Sequence, residues 1–278
     1  MSALERLGSS VWRVHAPGLT LKPYEGTQCY FVGTADTVWL VDTGDGGPRA
    51  TQALNTAWTE LGAPPVALIL ITHGHRDHFG GAAWAHQHFR APVGVHPADR
   101  AAVMSDCADA TPFLPGSYHI GPVAVDVLHM PGHTPGQLNL WLPTDRTLLA
   151  GDNVLGDTTS VVVPPAGDLH DYRTTLDRLA ALDPALIGPG HGSVVREPRG
   201  WLTYYREHRA ERDRQVVDLL AEGALSVPEL AAAIYGRDQA HTYRAGQLML
   251  LGHLTALEHD GVVAELSDGR YVLCEGSR

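Results

Sequence analysis

One junction constrains this chain more than any other. The apolar run "VALILIT", residues 66–72, passes with no turn residue into "HGHRDHFGG", residues 73–81. The run lacks the polar–apolar alternation of a half-exposed strand and reads as a strand buried on both faces. His73, His75, Asp77 and His78 follow it within six positions. Gly80 and Gly81 then lead into the helix-like "AAWAHQHF". The clustered side chains therefore sit in the loop after a buried strand, where binding groups are displayed.

The same pattern returns three times in the second half. "PVAVDVLHM" leads into "PGHTPG" with His133, "LNLWL" and "TLLA" lead into "GDNVLG" with Asp152, and "ALIG" leads into "PGHG" with His191. Ahead of the first junction lie the extended segments "VWRVHAP", "CYFVGTA" and "TVWLVDTG" and a helix-like "ATQALNTAWTELG". Strands that all deliver polar residues at one end predict an α/β (α+β) arrangement of layered sheets, with helices outside and a site along one rim.

After about residue 200 the pattern changes to a long charged helix, a short helix at "SVPELAAAIYG" with Ser226 and Glu229 spaced as a capping box, and a third helix ending at Gly261. Asp268–Gly269 between two β-rich runs then signals a hairpin. Three helices and a hairpin make a winged-helix-like module. A length of 278 residues accommodates this appendage beside a larger domain.

With 20 basic and 31 acidic residues the net charge is -11, which opposes unspecific binding to nucleic acid or acidic lipid. Residues 201–278 are acidic too, with eight arginines and no lysine against twelve acidic residues. The three cysteines are widely spaced and form no CxxC, which fits buried thiols in a reducing cytoplasm. No run reaches the roughly 18 apolar residues of a membrane span, and the start of the chain lacks a secretory pattern.

Histidine nitrogen and aspartate oxygen are ligands of zinc and similar ions, and two adjacent ions need about seven or eight protein ligands with one bridging group. His73, His75, Asp77, His78, His133, Asp152 and His191 meet that count. His73 and His75 alternate by two and project to one side of extended backbone. Asp77 and His78 lie where the chain turns into a helix and can face a second ion. No GxSxG elbow offers an alternative nucleophile.

"THGHRDHFGG", "PGHTPGQ", "AGDN" and "GPGHG", in this order and with "LVDTG" ahead of them, resemble the metallo-β-lactamase-fold hydrolases over residues 11 to 200. The resemblance implies a four-layer αββα sandwich with two divalent metal ions, zinc first and manganese or iron as alternatives. His73, His75 and His133 would hold one ion and Asp77, His78 and His191 the other, with Asp152 bridging. Asp42 would orient a ligand rather than bind metal, against its alternative as a turn residue before Gly44. The catalytic roles fall to Asp152 and to Asp77, which shares with a metal-bound water the task of protonating the leaving group.

The tail extends the resemblance to the lactamase-β-like subgroup, related to glyoxalase II, whose members carry a winged-helix domain. It implies a catalytic domain over 1–200 and a winged-helix-like domain over 201–278. Gln137 stands where many relatives have His or Asp, at a position that is not a metal ligand. His170 and Tyr172, in "DLHDY", are candidates for the pocket rim, against an ordinary helix start capped by Asp168 or Asp171. The implied reaction is hydrolysis of a small ester-like bond, a thioester or lactone, by a hydroxide shared between the ions. A single lysine, Lys22, in an acidic chain favours a small or neutral acyl substrate. The alternatives are a single-stranded RNA or DNA nuclease of the same fold and a mono-iron, oxygen-dependent enzyme. The partner is then a small molecule, and a homodimer is compatible with the sequence.

Overall fold

The protein is represented by a computed structural model that describes residues 4–18, 24–236, 240–274 and 276; Lys22 and both extreme termini lie outside the described residues. A seven-stranded sheet forms from β1 (Leu4–Arg6), β2 (Val11–Pro17), β3 (Gly26–Gly33), β4 (Val38–Val41), β5 (Val66–Ile71), β6 (Val93–Val95) and β7 (Thr111–Pro112), in spatial order of sequence. The first four strands pair antiparallel. From β4 onward the pairing is parallel. Parallel neighbours need crossovers. Helix α1 (Pro48–Glu60) supplies the one from β4 to β5; α2 (Arg76–Phe79) and α3 (Ala82–Phe89) supply the next, and α4 (Arg100–Val103) lies between β6 and β7.

The second sheet has the order β12-β11-β10-β9-β8, from β8 (Gly116–Ile120), β9 (Val123–His129), β10 (Leu138–Leu142), β11 (Thr147–Gly151) and β12 (Leu186–Pro189). Its strands are antiparallel except for the parallel pair β11–β12, which is connected through α5 (Leu169–Ala181). The two-residue period of strands assigns the layers. On β5, Leu68 and Leu70 meet Leu138, Leu140 and Leu149 between the sheets. Ile69 and Ile71 face the other way, under Leu54, Ala57, Ala82 and Ala85 of α1 and α3. On β11 the parity is the same: Leu149 points between the sheets, while Leu148 and Ala150 pack under Leu176 and Leu179 of α5. The result is the expected four-layer αββα sandwich, and it explains why β5 is apolar at every position.

Helix α6 (Pro198–Leu220) continues from the outer helical layer into the tail, where α7 (Val227–Tyr235), α8 (Ala240–His259) and a sheet of β13 (Leu225–Ser226), β15 (Arg270–Leu273) and β14 (Val263–Glu265) gather. Leu202 and Tyr205 of α6 belong to the core under α5. Val216 and Leu220 belong to a separate cluster with Leu230, Leu250, Leu254 and Tyr271. Residue 200 thus lies inside a helix that both cores share. The Ser226–Glu229 capping box forms, with Ser226 N donating to Glu229 Oε2 at 2.8 Å, and β14 and β15 pair as the Asp268–Gly269 hairpin. Among the described residues no helix is long and apolar enough to cross a membrane.

Leu149 is 1% exposed between the sheets and Leu114 is 59% exposed. Leu149→Ala is expected to cost about 2–5 kcal/mol of unfolding free energy in urea melts, and Leu114→Ala less than about 0.5 kcal/mol. Equal losses would contradict the layer assignment.

Candidate metal centre

Because β4 and β5 are parallel, and β11 and β12 are parallel, each pair ends at one edge and releases its loop there. Asp42 follows β4, His73 to His78 follow β5, Asp152 follows β11 and His191 follows β12. His133 lies in the loop from β9 to β10 and meets the same rim. All seven expected ligand residues come together.

They form two sets, His73, His75, His133 and Asp152, and Asp77, His78 and His191. In the first set His75 Nδ1 lies 3.0 Å from both His73 Nε2 and His133 Nε2, and Asp152 Oδ2 lies 3.6 Å from His133 Nε2 and 4.0 Å from His73 Nε2. In the second, His191 Nε2 lies 3.2 Å from both His78 Nε2 and Asp77 Oδ2. Asp152 reaches into this set as well, with Oδ1 3.3 Å from His78 Nε2 and Oδ2 3.4 Å from His191 Nε2. Ligands about 2.0–2.1 Å from a tetrahedral zinc stand about 3.3 Å from one another, so these spacings match a shared coordination sphere.

The opposite nitrogen of four rings decides where the lone pairs point. His78 Nδ1 donates to Asp42 Oδ2 at 2.7 Å, His133 Nδ1 to the Val161 carbonyl at 2.8 Å, and His191 Nδ1 to the Gly26 carbonyl at 2.8 Å. Thr72 Oγ1 donates to Asp42 Oδ2 and thereby offers its lone pair to His73 Nδ1, 3.0 Å away. A carbonyl oxygen only accepts, so each neutral ring keeps its proton on Nδ1 and aims the Nε2 lone pair inward. In the first set the Nε2 lone pairs of His73 and His133 both point at His75 Nδ1 from 3.0 Å, and a single proton there can satisfy only one of them. The donor set therefore fits divalent ions.

Asp42, 2% exposed, accepts from Thr72 N at 2.8 Å as well as from Thr72 Oγ1 and His78, so it buttresses His78 and the end of β5. Its backbone sits at φ 60°, a region Asp tolerates better than most residues. His170 and Tyr172 do not reach the rim. Asp168 caps α5 by accepting from Asp171 N at 3.0 Å, which sets the helix so that His170 is exposed toward Asp260, 3.3 Å away. Tyr172 points into the core, where its hydroxyl donates to the Asn153 carbonyl at 2.6 Å. The helix start is thus a structural cap, and both rim expectations are corrected.

Sequence reasoning missed several contributors. Tyr24 stacks on the His191 ring at 5.4 Å and 20°. From α6, Trp201 Nε1 donates to the Leu155 carbonyl at 2.8 Å, Tyr205 Oη accepts from Leu155 N at 2.7 Å, and Arg209 donates to the Ser160 carbonyl. These bonds hold the segment after Asp152 that supplies Val161. Nothing in "WLTYYREHR" distinguishes these side chains from ordinary amphipathic helix residues. The cavity beside the centre measures about 740 Å³, and besides the ligand residues its lining includes Leu155, Thr158, Val161, Val163 and Ala166.

The Metallo-beta-lactamase superfamily model matches residues 24–191, and a Beta-lactamase-like protein 2 homolog of Caenorhabditis elegans is 32% identical over 79% of this chain and 74% of its own. The chain belongs to the metallo-beta-lactamase superfamily. It is also similar to an atrochrysone carboxyl ACP thioesterase of Aspergillus terreus, 27% identical over 95% of this chain and 84% of that one. A Beta-lactamase domain protein from Burkholderia ambifaria shares the fold, with a TM-score of 0.85 at 21% identity over 98% of this chain and 93% of that one. As a member of this superfamily the chain is a metal-dependent hydrolase.

Protons and metal compete for the centre. Burial lowers His133 to about 4 and, with help from the neighbouring His78 and His75, holds His73 well below the usual imidazole value. Burial also disfavours charge on His78 and His191, yet the carboxylates outweigh it: Asp152 and Asp42 hold His78 well above its usual value, and Asp152 and Asp77 raise His191 to about 9. Near pH 7 the metal-free protein thus carries protons on the second set. Loading zinc in weak buffer at that pH is expected to release about one to two protons per chain, with affinity rising as pH rises toward about 9. The sign for stability follows. His191 pairing is fully present below 6.5 and is lost as pH rises through about 9, so the metal-free melting temperature falls over that interval. Zinc uptake with no proton release would contradict this charge distribution.

Proposed function

We propose that this enzyme hydrolyses small acyl thioesters, with lactones as the next substrate class, using two divalent ions, zinc first. His73, His75 and His133 would hold one ion, Asp77, His78 and His191 the other, with Asp152 shared. The observation that carries this reading is Asp152, whose two oxygens face both histidine sets beside a cavity with an aliphatic wall. Similarity to a fungal acyl-carrier-protein thioesterase supports the choice of bond. The bound ions would supply a water of lowered pKa and polarise the scissile carbonyl.

The chain's own residues do the rest. Leu155, Val161, Val163 and Ala166 receive an apolar acyl group and keep bulk water from it. Asp77 lies on the cavity wall, half-buried, with Oδ2 against His191. Its carboxylate would take the proton released by the attacking water and pass it to the departing thiolate or alkoxide, a task shared with a metal-bound water. The aliphatic wall and the net charge of -11 both favour acyl compounds over nucleic acid. Residues 1–200 form the catalytic domain in this reading and residues 201–278 a winged-helix-like domain whose first helix braces the pocket wall. The free cysteines Cys29, Cys107 and Cys274 are compatible with a cytoplasmic location.

Zinc-loaded protein is expected to turn over members of a panel of acyl-thioesters and lactones, to lose the activity on chelation, and to regain it on adding zinc back. Asp152→Asn is expected to lower kcat/KM by roughly 100-fold or more. Cleavage of single-stranded RNA with no turnover of any acyl compound would overturn the assignment.

A further inference from the structure

Asp99 opens α4 at the N-cap position, where a carboxylate ordinarily accepts from the helix's own first amides. It makes no such bond. Instead Oδ2 accepts from Gly74 N at 2.8 Å and from Thr134 Oγ1 at 2.6 Å, and Oδ1 accepts from Gly136 N at 3.0 Å. Gly74 lies between His73 and His75, and Thr134 and Gly136 follow His133. One carboxylate, 6% exposed, therefore ties the loop after β5 to the loop after β9.

We propose that Asp99 is a positioning residue that fixes the half-site of His73, His75 and His133, and so sets metal affinity there separately from the half-site of Asp77, His78 and His191. The proposal rests on the two-metal reading above. It also explains two letters of the motifs. A Cβ at residue 74 would stand 3.2 Å from Asp99 Cβ, and a Cβ at residue 136 would stand 2.6 Å from Asp99 Cγ, so "HGH" and "TPG" leave room for this carboxylate. Burying a carboxylate costs free energy that a local cap, worth about 1 kcal/mol, does not offset. Three charge-assisted bonds from two separate loops do offset it, and they fix the spacing between those loops.

The division of labour is visible in the contacts. Asp42 grips His78 directly and reaches His73 only through Thr72, whereas each of the three Asp99 partners lies within three residues of a ligand of the first half-site. Outer hydrogen bonds of this kind change metal affinity by about 10–100-fold.

Titration of the full chain with cobalt(II), followed by its visible absorption, tests the assignment. The unaltered protein is expected to take up two ions. Asp99→Ala is expected to keep one at unchanged affinity and to bind the other about 10–100-fold more weakly. Asp99→Asn, which keeps the shape but turns one acceptor into a donor, is expected to lie between them, and it carries the test if Asp99→Ala does not fold. Gly136→Ala, which displaces the carboxylate, is expected to reproduce the selective loss. On an acyl substrate the same variants are expected to lower kcat and leave KM nearly unchanged. A folded Asp99 variant that binds both ions as the parent does, or that loses both equally, would overturn the inference alone. Fewer than two ions bound by the unaltered protein would overturn the two-metal reading with it.

Discussion

Five imidazoles and two carboxylates converge at one rim, most of them buried and several facing the cavity, and the mutual repulsion of groups crowded so closely is the constraint the rest of the structure answers. No helix–sheet packing energy favours such an arrangement by itself. It persists because each group is fixed from behind: the Gly26 and Val161 carbonyls, Asp42 and Thr72 lock four rings, and strand ends lock the loops that carry them. A cation in the middle turns the repulsion into attraction, and the oxygens behind the rings then raise ligand basicity. The four layers can thus be understood as a rigid mount for one electrostatically unfavourable cluster.

Rigidity comes from the sheets and selectivity from what lies between them and the tail. β4, β5, β11 and β12, which end at the rim, are buried almost throughout, so moving their ligand loops would disturb two apolar layers at once. The segment from Leu155 to Gly167 is different in kind. It is irregular backbone between β11 and α5, it supplies the aliphatic part of the cavity lining, and it is tied down by Trp201, Tyr205 and Arg209 of α6. The same helix anchors the core of the tail through Val216 and Leu220. The pocket wall and the core of the tail are thus held by one and the same helix.

Much of this was legible in the sequence, for reasons that differ by element. The apolar run before His73 announced a two-faced strand because periodicity reports burial directly, and the His and Asp loops were readable because their residue types and spacing have few other uses. The tail's capping box and hairpin were readable from local rules alone. His170 and Tyr172 were misplaced because both readings of "DLHDY" begin a helix at Asp168, and only the packing of α5 decides which faces turn inward. Arg209 and Tyr205 were illegible for a related reason: their partners are backbone carbonyls and amides about 50 residues away, and a backbone partner leaves no letter in the sequence.

Asp99 shows the limit most clearly. In "HPADR" an aspartate before a short helix reads as a cap, and position alone supports that reading. The carboxylate turns away from its own helix because two glycines, at 74 and 136, let other loops approach it more closely than its own amides do. Each of the three residues is individually ordinary, and their meaning lies in a contact between segments 25 and 37 positions apart. Asp42 behaves alike, holding the end of β5 and His78 across 30 and 36 positions. A centre that must be held against its own repulsion needs such cross-links on both sides, and a buried carboxylate with several donors supplies them through charge-assisted bonds roughly twice as strong as neutral ones.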